Sequence, residues 1–88
     1  MQIELRGTIR AALGSGSVEL EVPAAGCSLS SILEKLSESS PRLGAALTQL
    51  RPGYTLRAVV NGVAVNRADD PVLHEADTVL LLVAMQGG

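Results

Sequence analysis

The stretch "LRAVVNGVAVN", Leu56–Asn66, decides the fold. Leu56–Val60 and Val63–Val65, both rich in valine, flank Asn61-Gly62. Asn-Gly accepts the positive φ angles of a type I′ turn, whose twist matches the strands of a hairpin. Outward toward the C-terminus, Arg67–Asp70 before Pro71 is a loop, and "TVLLLVA" (Thr78–Ala84) is apolar on both parities. Such a strand is central and covered on both faces, or covered on one face and adhesive on the other. Outward toward the N-terminus, "RPGY" (Arg51–Tyr54) is a turn. Leu43, Leu47 and Leu50 in "RLGAALTQL" share one side of a short helix, with Gly44 weakening it.

Further back, Leu29, Ile32, Leu33 and Leu36 follow i, i+3, i+4, i+7, the stripe of an amphipathic helix. Ser28 is its N-cap, and Ser39, Ser40 and Pro41 stop it near Glu38. The chain begins with period two. Ile3, Leu5, Gly7, Ile9, Ala11 and Leu13 fall on one parity, with Gln2, Glu4, Arg6, Thr8 and Arg10 on the other. This predicts a half-buried strand to Leu13, a turn at Gly14–Ser17, and a second strand with Val18, Leu20 and Val22 inward, ended by Pro23. The order predicts an α+β roll: a mixed sheet of four to five strands, one main helix and a short second one.

Composition narrows the function. A chain of 88 residues is one small domain, and its 47% apolar content includes no Phe or Trp and one Tyr. The core is therefore aliphatic. Net charge is -2, with no basic stripe to hold nucleic acid. Cys27 is the only cysteine and His74 the only histidine, so neither a disulfide nor a His or Cys metal cluster is expected. The N-terminus alternates charged and apolar residues, unlike a signal peptide. The longest apolar run, Val79–Met85, is far short of the roughly 20 residues of a membrane helix. A cytoplasmic, membrane-free protein is expected.

Catalytic candidates are few. "AAGCSLS" puts no cation beside Cys27 to activate its thiol, so a core or capping cysteine is expected. Tyr54 and His74 are loop residues, and Asp69-Asp70 before Pro71 makes a turn. Gly14 and Gly16 lie in a turn rather than before a helix, which discards a phosphate loop. What remains is the ending "VAMQGG". Gly87-Gly88 adds nothing to a core, but it can thread a narrow channel and present an α-carboxylate. Residues 1–84 are expected to form the domain and 85–88 a flexible tail. Two to four extended residues reach roughly 7–13 Å, the depth of a partner's catalytic pocket.

Over nearly its whole length the chain resembles the ubiquitin-like β-grasp sulfur carriers of the MoaD/ThiS family: the molybdopterin synthase small subunit and the thiamine sulfur carrier. The resemblance rests on "VVNG" (Val59–Gly62), on Leu73 and Asp77 before the last strand, on "VLLLV", and on terminal Gly87-Gly88. Two features depart from the pattern. Ala76-Asp77 stands where the family usually has Gly-Asp, and "AMQ" stands where molybdopterin-type tails usually carry prolines.

The resemblance implies a carrier rather than an enzyme. An E1-like adenylating and sulfurtransferring enzyme would use ATP to adenylate the carboxylate of Gly88. A sulfur donor would then displace AMP, leaving a thiocarboxylate. A larger synthase subunit or another acceptor enzyme would take the sulfur. Gly88 bears the reacting atoms, and a Cβ at Gly87 would collide with the channel walls. No cofactor is bound by the chain itself. The body also needs a docking face. With Val79, Leu81 and Val83 toward the helix, Leu80 and Leu82 form an open-face patch continued by Ala84, Met85 and Gln86; the opposite parity stays open. The insert "PRLGAALTQL" favours molybdopterin synthesis. Thiamine thiazole, cysteine or another sulfur metabolite, and ubiquitin-like protein modification through Gly88, stay open, as does an interaction domain with an idle tail.

Overall fold

A computed structural model describes residues 1–85. A five-stranded mixed sheet carries helices on one face, with strand order β2-β1-β7-β4-β5. Its strands are β1 (Gln2–Leu5), β2 (Ser17–Glu19), β4 (Tyr54–Val60), β5 (Val63–Val65) and β7 (Val79–Met85). A separate two-stranded ribbon pairs β3 (Cys27–Ser28) with β6 (Val72–Leu73). The helices are α1 (Thr8–Leu13), α2 (Leu29–Ser39) and α3 (Pro41–Thr48).

The Asn-Gly hairpin forms as its residues require. Val60 pairs with Val63, and Asn61 and Gly62 have φ of 52° and 82°, the two positive values of a type I′ turn. The main helix follows its apolar stripe: Leu29, Ile32, Leu33 and Leu36 are all buried. Ser28 caps it by accepting from the Ser31 backbone N–H. Asp70 adds a second cap from across the fold. Its carboxylate accepts from the Ser30 N–H and the Ser30 hydroxyl, both at 2.8 Å. The predicted turn at Asp69-Asp70 is a short 3-10 segment, Arg67–Asp69, with Asp70 left-handed at its end. Ser40 ends α2 and caps α3, accepting from the Leu43 N–H. Leu43 and Leu47 carry α3 into the core, and Leu50 packs half-buried against it.

The N-terminal region departs from its period-two pattern. The strand stops at Leu5, and Thr8–Leu13 is a helix. Gly7, at φ 66°, turns the chain out of the extended region. Ile9 is buried on either reading, so one residue satisfied both periods. The second strand is shorter than expected, Ser17–Glu19, although Val18, Leu20 and Val22 do pack against the core. The β3–β6 ribbon carries no alternation long enough to be seen in the sequence.

β7 is the axis of the sheet. It runs parallel to β1 and antiparallel to β4, which pairs with it along its full length from Val60–Val79 to Tyr54–Met85. Its run ends one residue past the anticipated domain boundary, because Met85 still pairs with Tyr54. Ile3, Leu5, Ile9, Leu29, Ile32, Leu36, Leu43, Leu73 and Leu81 form a fully buried aliphatic core. Each such side chain contributes roughly 1.5–3 kcal/mol on leaving water. No described helix is long and apolar enough to cross a membrane.

Candidate functional site

The candidate site is the strand that leads to the C-terminus and the sheet face around it. Along β7, Val79 and Leu81 are buried at 3% and 0% exposure, and Val83 packs half-buried against the same core. Leu80, Leu82 and Ala84 are half-buried on the opposite face. The helices thus cover the parity of Val79, Leu81 and Val83.

Register fills in the open face. Leu80 lies between Glu4 of β1 and Val59 of β4. Leu82 lies beside Arg57, and Ala84 beside Thr55. Val59 in turn meets Ala64 of β5. The result is an aliphatic stripe of Leu80, Leu82, Ala84, Val59 and Ala64 with charged residues, Glu4 and Arg57, at its margins. Met85 at the end of the strand is 61% exposed, and its partner Tyr54 39%. Arg57, Val59, Ala64 and Tyr54 were not nominated from the sequence. Only the strand register brings them beside β7.

The quoted turn and the aspartate before the last strand meet in space. Asn61 Nδ2 donates to Asp77 Oδ1 at 3.0 Å, and Asn61 Oδ1 accepts from the Thr78 backbone N–H at 2.9 Å. Asp77 Oδ2 accepts from the His74 N–H at 2.8 Å. These bonds fasten the β4–β5 turn to the loop that launches β7. The Asn61 bond, followed by the His74 N–H, stabilises the charged carboxylate and holds the Asp77 pKa below the usual aspartate value. The motif residues Asn61 and Asp77 therefore set the position of β7.

The remaining chemical candidates have structural surroundings. Cys27 is half-buried in the ribbon, paired with Leu73. His74 is exposed. Among the described residues, no three His, Cys, Asp or Glu side chains are grouped to hold a metal. The hollow on the open face beside Leu80 has a volume of about 190 Å³, below the roughly 300 Å³ at which small-molecule sites begin. A larger groove of about 730 Å³ lies by Met1, Glu19, Glu21 and Glu75. There the Glu75 carboxylate already accepts from the amino group of Met1. The nominated residues Gln86, Gly87 and Gly88 lie outside the described part of the chain.

A mixed sheet with its last strand central, crossed by one main helix, defines a ubiquitin-like β-grasp domain. The sequence profile described as the ThiS family matches residues 3–88, so this chain belongs to the ThiS family. A search of curated proteins returns no match. Solved structures that share the fold include the following three. SAMP1 from Haloferax volcanii is 19% identical with a TM-score of 0.75, over 99% of this chain and 97% of that one. The small archaeal modifier protein 1 (SAMP1) from Methanosarcina acetivorans is 18% identical with a TM-score of 0.71, over 99% and 94%. The HVO 2177 protein of Haloferax volcanii is 24% identical with a TM-score of 0.68, over 100% and 87%.

Proposed function

We propose that this protein is a sulfur carrier whose reacting group is the carboxylate of Gly88. One observation carries the reading. The central strand β7 ends at the exposed Met85, directly before Gln86-Gly87-Gly88. Membership of the ThiS family supports it.

The chemistry follows from the terminus. A carboxylate is a poor electrophile at neutral pH. In an adenylating partner, the Gly88 carboxylate attacks the α-phosphorus of ATP and pyrophosphate leaves. Hydrosulfide, or a persulfide whose S–S bond a thiol then reduces, attacks the acyl carbon and AMP leaves, giving a thiocarboxylate. The carrier supplies position rather than acid–base catalysis. Gly87 and Gly88 pass the channel because they lack side chains. The stripe of Leu80, Leu82 and Ala84, with Met85 and Gln86, docks the body. The sulfur acceptor is a synthase of cofactor biosynthesis. Molybdopterin synthesis is the favoured route, because α3 lengthens the chain beyond a minimal thiamine-type carrier.

A second reading is protein modification through the same adenylate. It is favoured by the fold shared with small archaeal modifier protein 1, a protein named as a modifier. Intact mass spectrometry of the protein from its host separates the two. Replacement of one Gly88 oxygen by sulfur establishes carriage. Thiol-resistant higher-mass adducts without thiocarboxylate establish modification. Deleting the gene and restoring it with or without Gly87-Gly88 then identifies the route. Loss of molybdoenzyme activity, rescued only by the intact tail, supports molybdopterin. A thiamine requirement instead overturns that choice and keeps the carrier.

A further inference from the structure

Charge is divided along β7. At the level where the strand begins stand Glu19, paired across β1 with Gln2, and the loop residues Glu75 and Asp77. Glu21 lines the same groove as Glu19 and Glu75, three carboxylates against the Met1 amino group and Lys35. From the middle of the strand onward, arginines stand on three sides, with Glu4 beside Leu80 as the nearest acid. On the β4 side, Arg57 lies opposite Leu82, exposed between the buried Leu56 and Ala58. On the β1 side, the Arg6 backbone N–H donates to Leu81 at 3.1 Å. On the helical side, Arg51 lines a hollow of about 490 Å³ with Ala46, Gln49, Leu50, Tyr54 and Val83.

These arginines do little for the fold. Among the described residues, Arg51 and Arg57 form no ion pair, and the Arg6–Glu4 pair at 3.4 Å is more than half exposed at both ends. Exposed pairs of that kind contribute little to stability. Arg57 and Arg51 beside the second half of the strand, with Arg6 at its middle, instead create a local positive field, whose effect is on encounter and orientation.

We propose that the surface receiving the tail is acidic, and that Arg6, Arg51 and Arg57 form a collar that docks it. The partner is the adenylating enzyme, with carboxylates around the mouth of the channel that takes Gln86-Gly87-Gly88. The collar is continuous with the Leu80–Leu82 stripe on one side of the sheet. On the other side, the hollow beside Arg51 has an apolar floor of Ala46, Leu50 and Val83. It accommodates an aliphatic side chain carried next to a partner carboxylate. This inference rests on the carrier reading above and adds the sign and position of the partner's charge.

The test is ATP–pyrophosphate exchange by the purified adenylating enzyme of the same host, with the carrier concentration varied. An Arg51→Glu/Arg57→Glu double variant is expected to raise KM for the carrier about tenfold or more with little change in kcat, and to flatten its dependence on salt. The neutral Arg51→Gln/Arg57→Gln pair gives a smaller rise. It decides the matter if the glutamate pair melts early by circular dichroism. Glu19→Lys/Glu21→Lys at the far end is expected to leave KM within about twofold. The collar is refuted if both arginine pairs stay within twofold of the parent. It is refuted as well if the far-end variant lowers KM as much as the arginine variant raises it, since net charge alone would then act. If the parent supports no exchange at all, the carrier reading itself fails and the collar with it.

Discussion

Leu81→Ala and Leu82→Ala are chemically identical changes at adjacent positions of one strand, and the structure assigns them opposite consequences. Leu81 is fully buried at the sheet centre, paired with Leu5 on one side and Ala58 on the other. Truncating it removes buried methyl groups and leaves a cavity, which costs about 2–5 kcal/mol. A domain of this length has roughly 4–13 kcal/mol of stability to lose, at about 0.05–0.15 kcal/mol per residue. A loss near 3 kcal/mol lowers Tm by about 12–24 °C. Leu82 is half-buried on the open face. Half the burial and no enclosed cavity give about 1 kcal/mol. Urea unfolding followed by circular dichroism measures both. Carrier-dependent ATP–pyrophosphate exchange, run well below each midpoint, measures docking. Leu81→Ala is expected to be the less stable and to keep its KM. Leu82→Ala is expected to stay folded and to raise KM about tenfold, equivalent to 1.4 kcal/mol of lost contact. Equal destabilisation would mean the strand register is shifted by one residue, which exchanges the two faces. An unchanged KM for Leu82→Ala would remove the stripe from the interface.

Three other outcomes follow. Gly26→Ala places a Cβ 2.7 Å from Val72 Cγ1 and 2.9 Å from His74 Nε2 at a φ of +91°, so thermal unfolding should show a loss of about 1–3 kcal/mol centred on the β3–β6 ribbon. Asp77 has a folded pKa held below 3.8 by Asn61 and the His74 N–H, so its contribution is complete above the ordinary aspartate range and disappears as pH falls through the lowered value. Asp77→Asn should therefore flatten the acid limb of the stability–pH curve and leave its neutral slope unchanged. Removing Gly87-Gly88 should leave the melting curve in place, because every described core residue lies at or before Val83, while abolishing pyrophosphate exchange.

The legible parts of the sequence were those where one residue pattern has one physical solution. Asn61-Gly62 between valine-rich runs has few alternatives to a type I′ hairpin, and the Leu29–Leu36 stripe fits only a helix once Ser28 is seen to cap it. The stretch from Gly7 to Leu13 was misread because Ile9 serves a period of two and a period of 3.6 equally well. What broke the tie was a backbone event, the positive φ of Gly7. The β3–β6 ribbon was hidden for another reason. Its two-residue strands are held by long-range pairing of Cys27 with Leu73 and Ser28 with Val72, not by local propensity. At the candidate site, Leu80 and Leu82 could be picked out by the double-sided apolar character of β7. Arg57 and Val59 could not, since their nearness to β7 is a property of register.

The same register explains why an unremarkable stretch of β4 matters to the tail. Each open-face residue of β7 is held laterally by β4, and β4 is held at its far end by the Asn61–Asp77–Thr78 bonds. A force on the tail is thus borne along β7 by a continuous ladder from Met85–Tyr54 to Val79–Val60, and then by the side-chain clamp at the strand's start. β1 pairs with β7 only from Val79 to Leu81, so the half of the strand from Leu82 to Met85 is held by β4 alone. β7 is therefore anchored most firmly at its start, by both neighbouring strands and the Asn61–Asp77 bonds, and toward Met85 by its ladder with β4; on the carrier reading proposed above, that ladder is what holds the strand leading to the C-terminus.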